Sequence, residues 1–307
     1  MKDKLKCVLI LSDKSSGSST LQRELVKHPQ VHIIRKTIHA QNETVYWNKA
    51  VALLGLPHEK LLASSLNYTQ QQGRELLIQL LRDNLSDFEI PSSDKELIFN
   101  GWKKLCETFG PVFLEKSPHH LLSAEALKLI CECMDVMPEI DFKFIGLVRN
   151  PMDTIYSYWK RWSVDPSETQ HEWLGAYKNL EQVKEKVKDK LLVVRYEDVV
   201  QDQSCTRKIC DFIGIEYVDS MGKGFHSNAV SKWKKDKMYG FKLDPKIFQF
   251  AESFGYTANE LMNDNKSNII WTLNKVISRK SYSSMILQKR TKKFLRKIKH
   301  RILSEKH

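Results

Sequence analysis

The chain has 307 residues, 41% hydrophobic and 28% charged, which suits a soluble α/β fold of one large domain or two small ones with a sizeable core. Its net charge of +12 is unevenly placed: positions 275–307 hold twelve Lys or Arg and one acid, Glu305, a net +11 that leaves about +1 for the rest. A nearly neutral body argues against nucleic acid as the partner of the domain, and no apolar run approaches the ~20 residues that span a bilayer.

The N-terminus, Met1 to Lys6, is basic like the start of a signal peptide, but the apolar run behind it is too short and leads into serines instead of a cleavage site. The six cysteines, Cys7, Cys106, Cys131, Cys133, Cys205 and Cys210, have no paired spacing and read as reduced, with a cytoplasmic setting expected. No zinc-type His/Cys spacing is present, so no metal is expected.

Cys7 to Leu11 reads as a short strand buried on both faces, and Leu21, Leu25 and Val26 recur at helical spacing up to Lys27. Ser19 with Gln22 three residues on has the form of a capping box. Between strand and helix lies Ser12-Asp13-Lys14-Ser15-Ser16-Gly17-Ser18-Ser19-Thr20. Such a loop aims backbone N–H groups and a helix dipole at one point, which suits a phosphate-like anion. Ser15, Ser16, Ser18, Ser19 and Thr20 add hydroxyl donors, Lys14 adds charge, and Gly17 allows close approach. A Walker A loop would need Gly-Lys after Gly17, and Ser18 stands there instead. Taken alone, the loop also reads as a plain serine-rich turn.

His28-Pro29 ends the helix, Val31 to Ile34 reads as a second strand, and a polar stretch from Arg35 to Thr44 precedes a helical pattern over Val45 to Leu54. Residues 58–110 read as mostly helical, with a loop over Ser86 to Lys95, and residues 40–110 offer a place for a substrate cap or for plain structural packing. Three further apolar runs end in charge. Val112 to Leu114 leads into Glu115-Lys116-Ser117-Pro118-His119-His120, Phe142 to Val148 into Arg149-Asn150-Pro151, and Leu191 to Val194 into Arg195-Tyr196-Glu197-Asp198. Helical patterning over Leu121 to Met134 and Met152 to Trp162 separates them. Strands alternating with helices predict a central parallel sheet flanked by helices, with the four polar clusters converging at the carboxyl ends of the strands. Arg149 at a strand end and Ser157 in the next helix can hold a second, separate phosphate, although Ser157 alone reads as an ordinary helix residue. Trp159, Trp162 and Trp173 suit either a sugar wall or the core.

These residues resemble the sulfotransferase superfamily that uses 3′-phosphoadenosine 5′-phosphosulfate (PAPS) and releases 3′-phosphoadenosine 5′-phosphate (PAP). Lys14 to Thr20 is similar to its 5′-phosphosulfate loop, Arg149-Asn150-Pro151 with Ser157 to its 3′-phosphate element, and Glu115-Lys116-Ser117-Pro118 to a segment common in carbohydrate and bacterial members. Val194 to Asp198 and Phe212-Ile213-Gly214 match in order, so the resemblance spans roughly residues 5–235. It implies a single domain over 1–270 with a P-loop-NTPase-like sulfotransferase fold, and transfer of a sulfuryl group to a hydroxyl or amine of a glycan, glycolipid or other small acceptor. It further implies that Lys116 stabilises charge on the bridging oxygen, and that Ser227, Lys232 and Trp233 belong to a late segment closing over the nucleotide, with Trp233 on adenine or in the core. Two departures stand out: Ser15 occupies a place where many relatives have arginine, and Arg35-Lys36-Thr37 the place of the usual acid. The general base is therefore sought in Glu43 or His39, with Glu115, His119 and His120 in reserve.

Along the tail, 271–307, apolar Leu287, Phe294, Leu295, Ile298 and Ile302 fall on one helical face between basic residues. This pattern fits peripheral contact with the inner face of an anionic membrane, or a helix packed on the domain with a solvated charged side. Two other readings stay open for the whole chain: a kinase using Mg-ATP, and a non-catalytic anion- or membrane-binding protein.

Overall fold

A computed structural model describes residues 4–58, 61, 62, 64, 66–265 and 271–273. In chain order the elements are β1 (Lys6–Ser12), α1 (Ser18–Leu25), β2 (Val31–His32), α2 (Tyr46–Leu53), α3 (Gln70–Asn84), α4 (Asp94–Thr108), β3 (Val112–Lys116), α5 (Pro118–Leu121), α6 (Ala124–Val136) and β4 (Asp141–Val148). There follow α7 (Pro151–Trp162), α8 (Pro166–Val187), β5 (Leu191–Arg195), α9 (Tyr196–Gln201), α10 (Gln203–Ile213), α11 (Lys232–Lys235), α12 (Pro245–Glu252) and α13 (Ala258–Leu261). The basic helix expected in the tail lies outside the described residues.

All five strands run parallel in the order β2-β3-β1-β4-β5, as the alternation of strands and helices predicts. β1 is central, with β3 on one side and β4 on the other, so the polar segments after these three strands emerge side by side. The strand period of two splits β1 between two cores. Cys7, Leu9 and Leu11 join a cluster with α2, α3, α4, α6 and α8, while Val8 and Ile10 pack with Leu21 and Leu25 of α1 and Ile209 and Ile213 of α10. The helices between 46 and 108 thus share the main core with the sheet. All six cysteines are free, and five of them are buried.

Two local expectations are corrected. α1 begins at Ser18 because Gly17, at φ +89°, is its N-cap, so Ser19 lies inside the first turn and no Ser19 capping box forms. β2 stops at His32, short of Ile34, because the Arg35 and Lys36 N–H groups donate to Asn84 Oδ1 at 2.9 and 3.0 Å and draw the chain towards α3. Among the described residues no helix is long and apolar enough to cross a membrane.

Trp102 on α4 is fully buried, with its ring 4.8 Å from those of Tyr46 and Trp47 and 5.5 Å from Phe113 of β3. Trp102→Ala should lower unfolding stability by about 3–5 kcal/mol in urea titration. A loss below about 1 kcal/mol would show that this aromatic cluster does not join α2 and α4 to the sheet.

Candidate active site

The carboxyl ends of β1, β3 and β4 open into a cleft of about 390 Å³ lined by Lys14, Ser15, Gly17, Ser18, Ser19, Thr20, Ala40, Gln41, Glu43, Pro118, His119, Arg149, Ser157, Arg161, Trp162 and Tyr196. The four polar clusters do converge there. A larger cavity, about 900 Å³, lies along β5 and the C-terminal half of α8 and holds none of the expected site residues.

The serine loop is shaped by two left-handed residues, Ser15 at φ +61° and Gly17 at φ +89°. A Cβ on Gly17 would fall 2.2 Å from the Tyr196 ring, so the close approach that requires glycine is to this tyrosine. α1 starts at the cleft, so its unpaired first-turn N–H groups and positive dipole end belong to that wall. The loop side chains divide. Ser15, Ser18, Ser19 and Thr20 border the cleft, and Ser15 Oγ is buried with no partner among the described residues. Ser16 does not: it is fully buried, with Oγ 3.2 Å from the Tyr177 hydroxyl, and is corrected from anion donor to core contact. The Lys14 ammonium is also committed, 2.9 Å from Glu172 Oε1 and donating to the Leu62 carbonyl at 2.5 Å. Its charge is thus shared with a buried carboxylate instead of standing free over the loop.

Lys116 ends β3 with its side chain wholly buried. Its ammonium donates to Ser19 Oγ at 3.0 Å, the Gln41 carbonyl at 3.1 Å and Glu43 Oε1 at 3.2 Å. Burial lowers the lysine's pKa although Glu43 raises it, and burial raises that of Glu43 against the pull of Lys116. His119 lies on the other side of Glu43, its Nδ1 3.7 Å from Oε2, and burial pushes its pKa well below the ordinary histidine range. Of the two candidate bases only Glu43 lines the cleft. His39 is corrected: it sits 3.4 Å from the Tyr68 hydroxyl, outside the lining, with its pKa lowered to about 4 by burial and the Lys49 charge.

Beneath Lys116, the strand's alternation turns Glu115 into the core. Its Oε1 accepts from Thr44 Oγ1 at 2.6 Å and Ser117 Oγ at 2.5 Å, and His120 Nδ1 lies 3.3 Å from Oε2. Burial alone would raise its pKa; His120 and the two hydroxyl donors reverse this and hold it below the ordinary value. The network fixes a strained segment, because Gln41, Asn42 and Val45 all have positive φ, of 60°, 55° and 49°. Each such residue costs about 1–3 kcal/mol unless its surroundings hold it. Here Thr37 Oγ1 donates to the Glu43 carbonyl at 2.7 Å, and the Val45 N–H to Ser117 Oγ at 2.9 Å.

At the other end Arg149 is 7% exposed and lies 4.8 Å over the Tyr196 ring. Nη1 donates to the Ser15 carbonyl and Nη2 to the Ala229 carbonyl, both at 2.7 Å, while Nε is buried without a partner among the described residues. Ser157 shares the cleft with it, and so do Trp162, one of the three tryptophans that suit either a sugar wall or the core, and Arg161, which sequence reasoning passed over. The signal was available for Arg161, one helical turn after Ser157. Trp159 and Trp173 are buried. Ser227 and Lys232 are exposed and do not border the cleft, and of the two places open to Trp233 it takes the core: it is 1% exposed and packs with Met152, Ile155 and Trp159.

The sulfotransferase domain of the olefin synthase of Synechococcus PCC 7002 superposes with a TM-score of 0.50 at 19% identity, covering 84% of this chain and 97% of that one. The sulfotransferase domain from the curacin biosynthetic pathway gives 0.52 at 17% identity, with 82% and 98% covered. These likenesses show a shared fold. No curated protein matches the chain. The model of the sulfotransferase family matches residues 8–219, more than half of the chain. That match sets aside the kinase reading, and the chain belongs to the sulfotransferase family.

Proposed function

We propose that the protein transfers a sulfuryl group from PAPS to a hydroxyl or amine of a small acceptor, a glycan or glycolipid among the candidates. The observation that carries this reading is one cleft bordered by two separate anion-binding elements, the 14–20 loop at the start of α1 and Arg149 with Ser157. ADP and ATP carry their phosphates in one contiguous chain, whereas a 3′,5′-bisphosphorylated nucleoside carries anionic groups on two sides of its ribose. The residues suit such a donor: the unpartnered Ser15 Oγ and Arg149 Nε are buried polar atoms that a phosphate oxygen would satisfy. When bound, the donor supplies an activated sulfuryl group on a phosphate leaving group.

The chain's own part is positioning and charge. Ser18, Ser19, Thr20 and the α1 N-terminus hold the 5′ side, and Arg149 and Ser157 hold the 3′-phosphate. Lys116, held by Ser19, Gln41 and Glu43, meets the negative charge that develops on the leaving phosphate. Glu43, ionised and desolvated, takes the acceptor proton, and its raised pKa strengthens it as a base. His119 borders Glu43 as a neutral ring, which leaves that carboxylate without a second full positive charge.

The direct test is transfer of labelled sulfate from PAPS to a panel of glycans, glycolipids and hydroxylated small molecules. Lys116→Ala should lower kcat by about 10²–10³-fold while PAP still binds, the range seen when one transition-state donor is removed. No transfer to any member of a broad panel, or full kcat in Lys116→Ala, would contradict the proposal.

The rate should also depend on pH in a defined sense. A base with a raised pKa must be deprotonated to act, so kcat/KM rises as pH climbs through the Glu43 pKa, which lies above the usual carboxylate value, and then levels off. Glu43→Gln should remove this acid limb along with most of the activity. Retention of the limb in Glu43→Gln would assign the base elsewhere.

A further inference from the structure

Asp153 has no role in the reading above, yet it is 2% exposed and stands between the residues of the arginine end. It follows Arg149 by four residues and precedes Ser157 by four, which places Asp153 and Ser157 on one face of α7. Its Oδ2 accepts from the Ser231 N–H at 2.9 Å, and Oδ1 is buried with no hydrogen-bond partner among the described residues. Arg149 Nη2 donates to the Ala229 carbonyl two residues earlier in the same segment. The strap 229–232 is therefore gripped at both ends of its first three residues, by a guanidinium on the Ala229 carbonyl and by a carboxylate on the Ser231 amide.

Three features show that the grip is needed. Ser231 has φ +55°, an unfavourable conformation for a non-glycine residue that persists only under restraint. α11 is four residues long, and its N-cap, that same Ser231, makes no side-chain cap bond. Arg149, which the strap engages, also bonds to the Ser15 carbonyl, so strap, guanidinium and serine loop form one connected unit. Burial lifts the Asp153 pKa to about 6 while Arg149 and the Ser231 amide pull it down, so the carboxylate is ionised at neutral pH.

We propose that Asp153 is the positioning residue that anchors the 229–232 strap against Arg149, and that it thereby sets the preference for a nucleotide with a 3′-phosphate. The proposal rests on the donor reading above. Asp153 acts through the strap, which fixes the Nη2 arm of the Arg149 guanidinium while the Ser15 carbonyl holds Nη1, and Nε is left without a partner among the described residues.

The test measures PAP and AMP affinity by calorimetry on the full chain, with amide hydrogen exchange of residues 229–235 recorded without ligand. AMP is the control, because it lacks the 3′-phosphate. Asp153→Ala should weaken PAP binding about tenfold, leave AMP within about twofold, and speed strap exchange about tenfold with β1 and β4 unchanged. Asp153→Asn keeps an acceptor of the same shape and should stay within about threefold of the unaltered protein in both measurements. If Asp153→Ala does not fold, the same readings apply to Asp153→Ser, whose hydroxyl stops short of the strap. Equal weakening of PAP and AMP, or unaccelerated strap exchange, would overturn the proposal. Equal affinity of the unaltered protein for PAP and AMP would overturn the donor reading and the specificity claim together. The ligand-free exchange would then still decide whether Asp153 holds the strap.

Discussion

The site depends on one buried ammonium. Lys116 has no exposed side-chain surface, and a charge taken out of water must be paired or hydrogen-bonded. Its three acceptors come from three places in the chain: Ser19 in the first turn of α1, the carbonyl of Gln41, and the carboxylate of Glu43. Meeting this requirement draws the anion loop, the strained 41–45 segment and the end of β3 together. The positive φ values at Gln41, Asn42 and Val45 are the conformational cost of bringing a carbonyl and a carboxylate onto the same ammonium. Glu115, turned the other way from Lys116 on β3, holds that segment from below through Thr44 and Ser117. Adjacent residues of one strand thus serve the cleft and the core in turn.

The opposite end follows a related logic with a second, nearly buried cation. The Arg149 guanidinium is nearly buried, stacked on Tyr196, and bonded to backbone carbonyls of the serine loop and the strap. Carbonyl partners satisfy N–H groups without neutralising the cation, so its charge remains available to an anion in the cleft. Lys14 shows the contrast. Paired with Glu172, it has a carboxylate to offset its charge, and it reinforces the packing of α8 against the loop more than it adds field to the cleft.

Much of this was legible in the sequence because it rests on local pattern. Short apolar runs each ending in charge predicted parallel strands whose ends converge, and the sheet order brings those ends together. The serine loop, Lys116, Glu43, Arg149 and Ser157 all border the cleft or bond to residues that do. The failures have physical causes. Ser16 and Ser15 are neighbours of the same type, and only the loop's left-handed turns decide that Ser16 faces Tyr177 while Ser15 faces the cleft. His39 and Glu43 lie four residues apart in a segment without periodicity, so their order of approach to Lys116 is fixed by tertiary hydrogen bonds from Thr37 and Ser117. The Lys14–Glu172 pair joins residues far apart in the chain, and charge composition carries no trace of it. Trp233 stayed open between adenine and the core in the sequence because the aromatic cluster that takes it is spread over α7, the segment after α11 and Trp271, a packing set that no short motif encodes.

The proposed selection of a 3′,5′-bisphosphorylated nucleotide rests on the two elements of one cleft, the 14–20 loop and Arg149 with Ser157. The most direct measurement is thermal stabilisation by PAP beside AMP, ADP and Mg-ATP, in the unaltered protein and in Arg149→Ala. A ligand at about 100 times its Kd should stabilise the native state by ~2.7 kcal/mol, which raises the melting temperature measurably. The rise with PAP should exceed that with the other nucleotides and be lost in Arg149→Ala. Equal stabilisation by Mg-ATP, or a PAP response that survives the loss of Arg149, would contradict the proposed selection.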